Sequence, residues 1–132
     1  MRQQGRVIGS RASGWHPRGR AAPIDAQAVE AARPKLITAR QERAARDLIE
    51  SISNVTRIKI IRALAETPLA AGDLARVVDR TAPATSQHIR VLRDAGVIES
   101  TRSGNVVRYR LTNSTSAQIL EVIARAFDVL AR

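Results

Sequence analysis

The chain contains no cysteine, one methionine and only three aromatic side chains, Trp15, Tyr109 and Phe127. Without thiols there can be no disulfide, no thiolate metal site and no thiol-based redox switch. Three aromatics are too few for the stacking platforms on which single-stranded nucleic acids are held. No apolar run approaches the roughly 20 residues that span a membrane, and the charged N-terminus lacks the apolar centre of a signal peptide. A soluble, cytoplasmic protein without a membrane partner is the expectation. No Ser-His-Asp set, paired carboxylates or phosphate-binding loop appears in the sequence, so an enzyme is not expected. No cofactor and no metal is expected either.

Acidic residues are also scarce. Twelve acids stand against 22 lysines and arginines in 132 residues, a formal net charge of +10. Residues 1–35 hold seven Lys/Arg and two acids, and residues 36–132 hold fifteen and ten, so each part contributes +5. A basic balance of this size points to a polyanion, and the lack of aromatics points to duplex DNA. Solubility alone is the plainer explanation of the charge. The length suits one domain with a modest core.

Along the chain, residues 1–23 are rich in Arg, Gly, Ser and Gln and read as a flexible basic arm. Within it, Trp15-His16-Pro17-Arg18 fits no defined mechanism. Asp25 is placed to cap a short helix, Ala26 to Arg33, that Pro34 ends. The arm is therefore taken as 1–35, and a folded domain as 36–132. In that domain a helix is expected from Leu36 to Ile52, with Leu48, Ile49 and Ile52 as its apolar edge. Asn54 can cap the next helix, with Ile58, Ile61 and Leu64 inward, and Thr67-Pro68 breaks it. A short helix follows over Ala71–Val78, with Leu74, Val77 and Val78 inward.

The stretch Thr81–Gly104 organises the rest. Pro83 suits a first helical turn, Thr85, Ile89 and Leu92 recur at helical spacing, and Gly96 stops the helix. Pro83, Ala84, Gln87 and Arg90 fall on the other side, with Ser86 and His88 on the same short helix. Amide and guanidinium groups on one exposed face suit the base edges of a major groove. An ordinary solvated helix is the competing interpretation. Beyond Gly96 the pattern alternates, through Ser103-Gly104-Asn105 to Val107, Tyr109 and Leu111. This predicts a two-stranded hairpin with a cationic tip, where Arg102, Asn105, Arg108 and Arg110 can meet phosphate or a minor groove. Arg57 and Lys59 lie on a polar helix side within approach of phosphate, and Asp94 is expected to pair with Arg90 or Arg93. In the last helix Ile119, Val122, Ile123, Ala126, Phe127 and Leu130 form an apolar stripe that needs a partner, either the first long helix or a second subunit.

The expected fold is mainly α with one β-hairpin, a winged helix-turn-helix. The blocks Thr56-Arg57-Ile58-Lys59-Ile60-Ile61, Leu74-Ala75 and Ser86-Gln87-His88-Ile89-Arg90-Val91-Leu92-Arg93-Asp94-Ala95-Gly96-Val97-Ile98, with Gly104, Arg108, Tyr109 and Leu111, closely resemble the ArsR/SmtB family of bacterial repressors over residues 36–131. The resemblance implies a homodimer built through the first and last helices, operator DNA as partner, and release of DNA when an effector binds. It also makes His88 a common part of the recognition helix, structural or in contact with phosphate. Two departures bear on the signal. The Cys-x-Cys positions of metal-sensing members are Ala70 and Gly72 here, and the last helix offers Glu121 and Asp128 but no His, too few ligands for zinc. An unknown organic or nucleotide-like effector between the first and last helices is the remaining input. An architectural, nonspecific DNA coater and a winged-helix protein-interaction module are the alternative functions.

Overall fold

The computed structural model describes residues 22–130, in two compact units that meet between Thr38 and Ala39. The expectations for Trp15, His16 and the arm up to residue 21 lie outside the described residues. In the first unit α1 (Ala26–Ala32) is capped by Asp25, whose carboxylate accepts from the Ala28 N–H at 3.0 Å. Pro34 does not end this helix directly; it sits in a 3-10 turn, Arg33–Lys35, that follows α1. None of these residues is buried.

The second unit runs α2 (Ala39–Ile52), α3 (Val55–Glu66), α4 (Ala71–Val78), α5 (Ala82–Asp94), β1 (Ile98–Ser103), β2 (Val106–Leu111) and α6 (Thr115–Ala126), closed by a 3-10 turn over Phe127–Val129. The helix expected from Leu36 starts at Ala39 instead, because Leu36 is extended at φ −71° and ψ 157°. Asn54 caps α3 by accepting from Thr56 N–H at 2.8 Å, and Ser114 caps α6 by accepting from Ala117 N–H at 3.1 Å. Each cap satisfies a donor that the first helical turn leaves open.

Helix α3 runs through the centre of this unit. Ile60 and Ile61 are both fully buried and Leu64 nearly so, against α4, α5, β2 and α6. The helical stripe identifies Ile61 and Leu64 but passes over Ile60, and Ile58 is only half-buried. Leu74 and Val78 of α4 face this core as expected, but Val77 is 58% exposed and Ala75 takes the inward place. In α2, Leu48 and Ile52 are half-buried, Ile49 points outward, and the residue fully covered is Ser51, whose hydroxyl donates to the Asp47 carbonyl at 2.9 Å.

The end of α5 is built by Gly96. At φ +75° it lets its own N–H reach the Arg93 carbonyl at 2.9 Å while Val97 N–H reaches Leu92 O at 3.0 Å. These are the paired bonds of a Schellman stop, and the buried Leu92 and Val97 supply its apolar contact. The same pattern ends α4 at Asp79, the one described non-glycine residue with positive φ, at +56°. Arg80 N–H then bonds Ala75 O at 3.1 Å, which sets the turn from α4 into α5.

The hairpin strands pair antiparallel in the register Ile98↔Leu111 to Ser103↔Val106, leaving Gly104 and Asn105 as the turn. Only Gly104, at φ +63°, has positive φ there, as a type II′ turn requires. Leu69, one residue past Pro68, joins the far side of β2: its N–H bonds Tyr109 O at 3.1 Å and Tyr109 N–H bonds Leu69 O at 2.8 Å. The hairpin is thereby fixed to the α3–α4 connection, a link with no signature in the sequence.

Candidate nucleic-acid interface

Thr81 opens α5, its hydroxyl accepting from Ala84 N–H at 3.3 Å. Thr85, Ile89 and Leu92 are buried, and Thr85 spends its hydroxyl on the Thr81 carbonyl at 2.8 Å. At about 100° per residue, Pro83, Gln87 and Arg90 share the line opposite that buried face, and all three are exposed. Ser86 is exposed beside them, whereas Ala84 and His88 are half-buried on the flank. Asp94 continues the exposed line one turn past Arg90 but forms no ion pair with any described residue, contrary to the expected surface pair.

The arginines divide in two. Among the described residues, Arg33, Arg62, Arg110 and Arg125 are held in ion pairs. Arg57 is also occupied: its Nε donates to His88 Nδ1 at 3.2 Å and its Nη1 to the Glu50 carbonyl at 3.0 Å. The phosphate approach expected of Arg57 therefore gives way to a contact inside the fold. Arg80, Arg90, Arg93, Arg102 and Arg108 carry no such partner among the described residues, and neither do Arg40, Arg43 and Arg46 of α2 or Arg76 of α4. The charge of the first five faces solvent next to α5 and along the hairpin. Arg93 is not singled out by the sequence pattern as a DNA contact, yet with Ser86, Ile89, Arg90 and Tyr109 it lines a notch of about 130 Å³ between α5 and the hairpin. Its spacing of three residues from Arg90 is the available signal. Arg80 also escapes a helical pattern, since it lies in a turn rather than on the helix.

The hairpin separates its cations by face. Arg102 opposes Val107 and Arg108 opposes Thr101, so these two side chains leave opposite faces of the ribbon. Arg102 emerges on the face that Tyr109 and Leu111 share, and Arg108 on the face of Arg110. Arg110 opposes Glu99 and binds it with Nη2 at 2.7 Å and Nε at 2.9 Å. Its charge is balanced within the sheet, unlike that of Arg102 and Arg108 near the turn. Asn105 is exposed in the turn itself.

His88 favours its neutral form. Burial lowers its pKa below the ordinary histidine value, and the nearby positive charges of Arg57 and then Arg80 lower it further. Nδ1 accepts the Arg57 hydrogen bond, so the proton of the neutral ring sits on Nε2.

Residues 54–100 match the family model described as "Bacterial regulatory protein, arsR family". The HTH-type transcriptional regulator YgaV of Escherichia coli is 32% identical over 81 residues, covering 61% of this chain and 82% of that protein. The chain belongs to the ArsR family. It is a winged helix-turn-helix, DNA-binding transcriptional regulator of the ArsR type, in a family of regulators rather than enzymes. The biofilm growth-associated repressor of Xylella fastidiosa is 28% identical over 81 residues, covering 61% of this chain and 71% of that protein. The crystal structure of the transcriptional repressor BigR from Xylella fastidiosa superposes with a TM-score of 0.64 at 25% identity, over 70% of this chain and 92% of that one. In this ArsR-family chain Ala70 is the N-cap of α4 and Gly72 lies in its first turn. No group of three or more His, Asp or Glu among the described residues could hold a metal ion. No described helix is long and apolar enough to cross a membrane.

Proposed function

We propose that the protein is a dimeric, sequence-specific repressor. It sets α5 in the major groove of operator DNA and the hairpin tip against phosphate or the adjacent minor groove. The observation that carries this reading is the exposed line Pro83–Gln87–Arg90, opposite the buried face of α5, together with Arg80, Arg93, Arg102 and Arg108, which have no ion-pair partner among the described residues. Gln87 can pair bidentately with adenine, and the arginines can fix register on the backbone. Ser86, Ala84 and the Nε2–H of His88 border the same face, and Asn105 lies at the tip. Arg110 belongs to the surrounding surface because Glu99 neutralises it. Residues 1–35 form the basic arm and residues 36–132 the DNA-binding and dimerisation domain.

Dimerisation is supported by α6. Its core-facing residues are Ala117, Leu120 and Ala124, so the apolar stripe read from the sequence is a second face of the helix. Ile119, Val122 and Ile123 lie uncovered, Val122 at 68% exposure, together with Phe127 and Leu130. Isologous pairing of two such stripes would cover both. The signal is not metal or thiol, since the ligands are absent from the family's positions. A cleft of about 590 Å³ bordered by α2, α3, α5 and the first turn of α6, with Leu48 and Val91 among its walls, is the space for an organic effector.

Selection of duplexes from a random pool tests the reading. A two-fold related site with half-sites about 10 base pairs apart is expected. Equal affinity for selected and random DNA would instead favour an architectural protein, and weak, salt-insensitive binding a protein-interaction module.

A further inference from the structure

We propose that Arg57 is a positioning residue for the DNA-reading helix, fixing α5 from behind through His88 and tying it to the end of α2. The proposal rests on the assignment of α5 as reader. Arg57 stands in the first turn of α3, with its backbone N–H already engaged by the Asn54 cap at 3.4 Å. Its guanidinium spans two other helices. One arm reaches the Glu50 carbonyl in the last turn of α2, where helix carbonyls lack intrahelical partners. The Ser53 hydroxyl bonds the same carbonyl at 2.9 Å. The other arm reaches His88 Nδ1. A guanidinium is a rigid planar fork, so the two bonds set the position of one partner relative to the other. His88 follows Gln87 directly, and turning α5 about its axis would have to break the bond to Arg57. The base-reading face is thus referenced to α2, one of the helices proposed to build the dimer.

The device responds to acid. The groups facing the imidazole are Arg57 from α3 and Arg80 from the turn before α5, both positive. No carboxylate stands within ion-pair distance of His88 among the described residues. Asp47, Glu50 and Asp94 are among the residues that line the cleft that Arg57 borders. A proton on Nδ1 would set donor against donor and cation against cation, releasing α5 from Arg57. It would also add positive charge to the DNA side.

The experiment compares affinity for the best selected duplex with affinity for its scrambled version, from pH 8 to pH 5, in the full chain and in Arg57→Ala, Arg57→Lys and His88→Asn. Arg57→Ala and Arg57→Lys should each lower the selectivity ratio roughly tenfold at pH 8, while Arg57→Lys keeps its affinity for scrambled DNA. Wild-type selectivity should fall toward pH 5 as affinity for scrambled DNA holds or rises. His88→Asn offers an amide oxygen where Nδ1 stood and cannot titrate, so its selectivity should not change with pH. By NMR, the His88 titration should move up in Arg57→Ala. Full selectivity in Arg57→Lys would mean that charge on phosphate is what matters, and would overturn positioning. So would a lowered melting temperature with unchanged selectivity, or a flat wild-type pH profile. Should Arg57→Ala fail to fold, Arg57→Lys decides. A wild-type protein that does not distinguish the two duplexes would overturn the assignment of α5 itself, and the proposal with it.

Discussion

At the scale of single residues, Gln87 and the tip arginines should fail differently. Gln87→Ala should cost about 1–3 kcal/mol on the best operator and relax preference at one position per half-site. Arg108→Ala should weaken selected and random DNA alike and lower the salt slope by about one for each phosphate no longer neutralised. Binding isotherms at several salt concentrations check both. A sequence preference altered by Arg108→Ala and untouched by Gln87→Ala would put recognition on the hairpin. His88 also links stability to pH. Its folded pKa is depressed, so its contribution is fully present above the unfolded value near 6.5 and is lost as pH falls through the lower folded value. Urea midpoints below pH 6.5 should therefore drop more in the wild type than in His88→Asn. The Gln87 face is legible in the sequence because three buried residues at helical spacing fix which side is left over. The Arg57–His88 bond is not, since it joins residues 31 apart that no local pattern relates.

At the scale of elements, glycines give a clean contrast. A Cβ at Gly96 or at Gly72 would meet nothing within 4 Å, so sterics do not separate them and backbone does. Gly96→Ala, at φ +75°, should destabilise by about 1–2 kcal/mol. Gly72→Ala, inside α4, should stabilise by about 0.5–1 kcal/mol. Thermal unfolding of the two variants checks the opposite signs. Such punctuation is why the end of α5 and the hairpin turn can be placed from sequence. Side-chain size is a poorer guide. It favours Val77 for the core of α4, where Ala75 sits instead, and the core face of α6 is two alanines around one leucine, dwarfed by its exposed stripe. Ile60 escapes because a single-stripe pattern cannot describe a helix surrounded on several sides. The bridge from Leu69 to Tyr109 involves one residue of the connecting segment, too little for an alternating pattern.

For the whole molecule, the uncovered stripe of α6 and the free cations make separable predictions. Val122→Glu adds a charge at a position 68% exposed in the single chain, so the monomer should stay folded while the dimer is lost. Light scattering and circular dichroism together check this, and an unchanged mass at micromolar concentration would place the dimer contact elsewhere. If the dimer neutralises about 6–10 phosphates, log affinity against log salt should have a slope of roughly −5 to −9. The Leu69–Tyr109 bridge adds a constraint of its own. The hairpin is clamped through the middle of β2 to the connection that leads into the helix-turn-helix, so the two parts work like the jaws of a fixed-gap caliper. Operators whose groove-to-groove distance differs from that gap would have to flex to fit, and the stiffness of the DNA between contacts would then join the bases themselves in choosing the site.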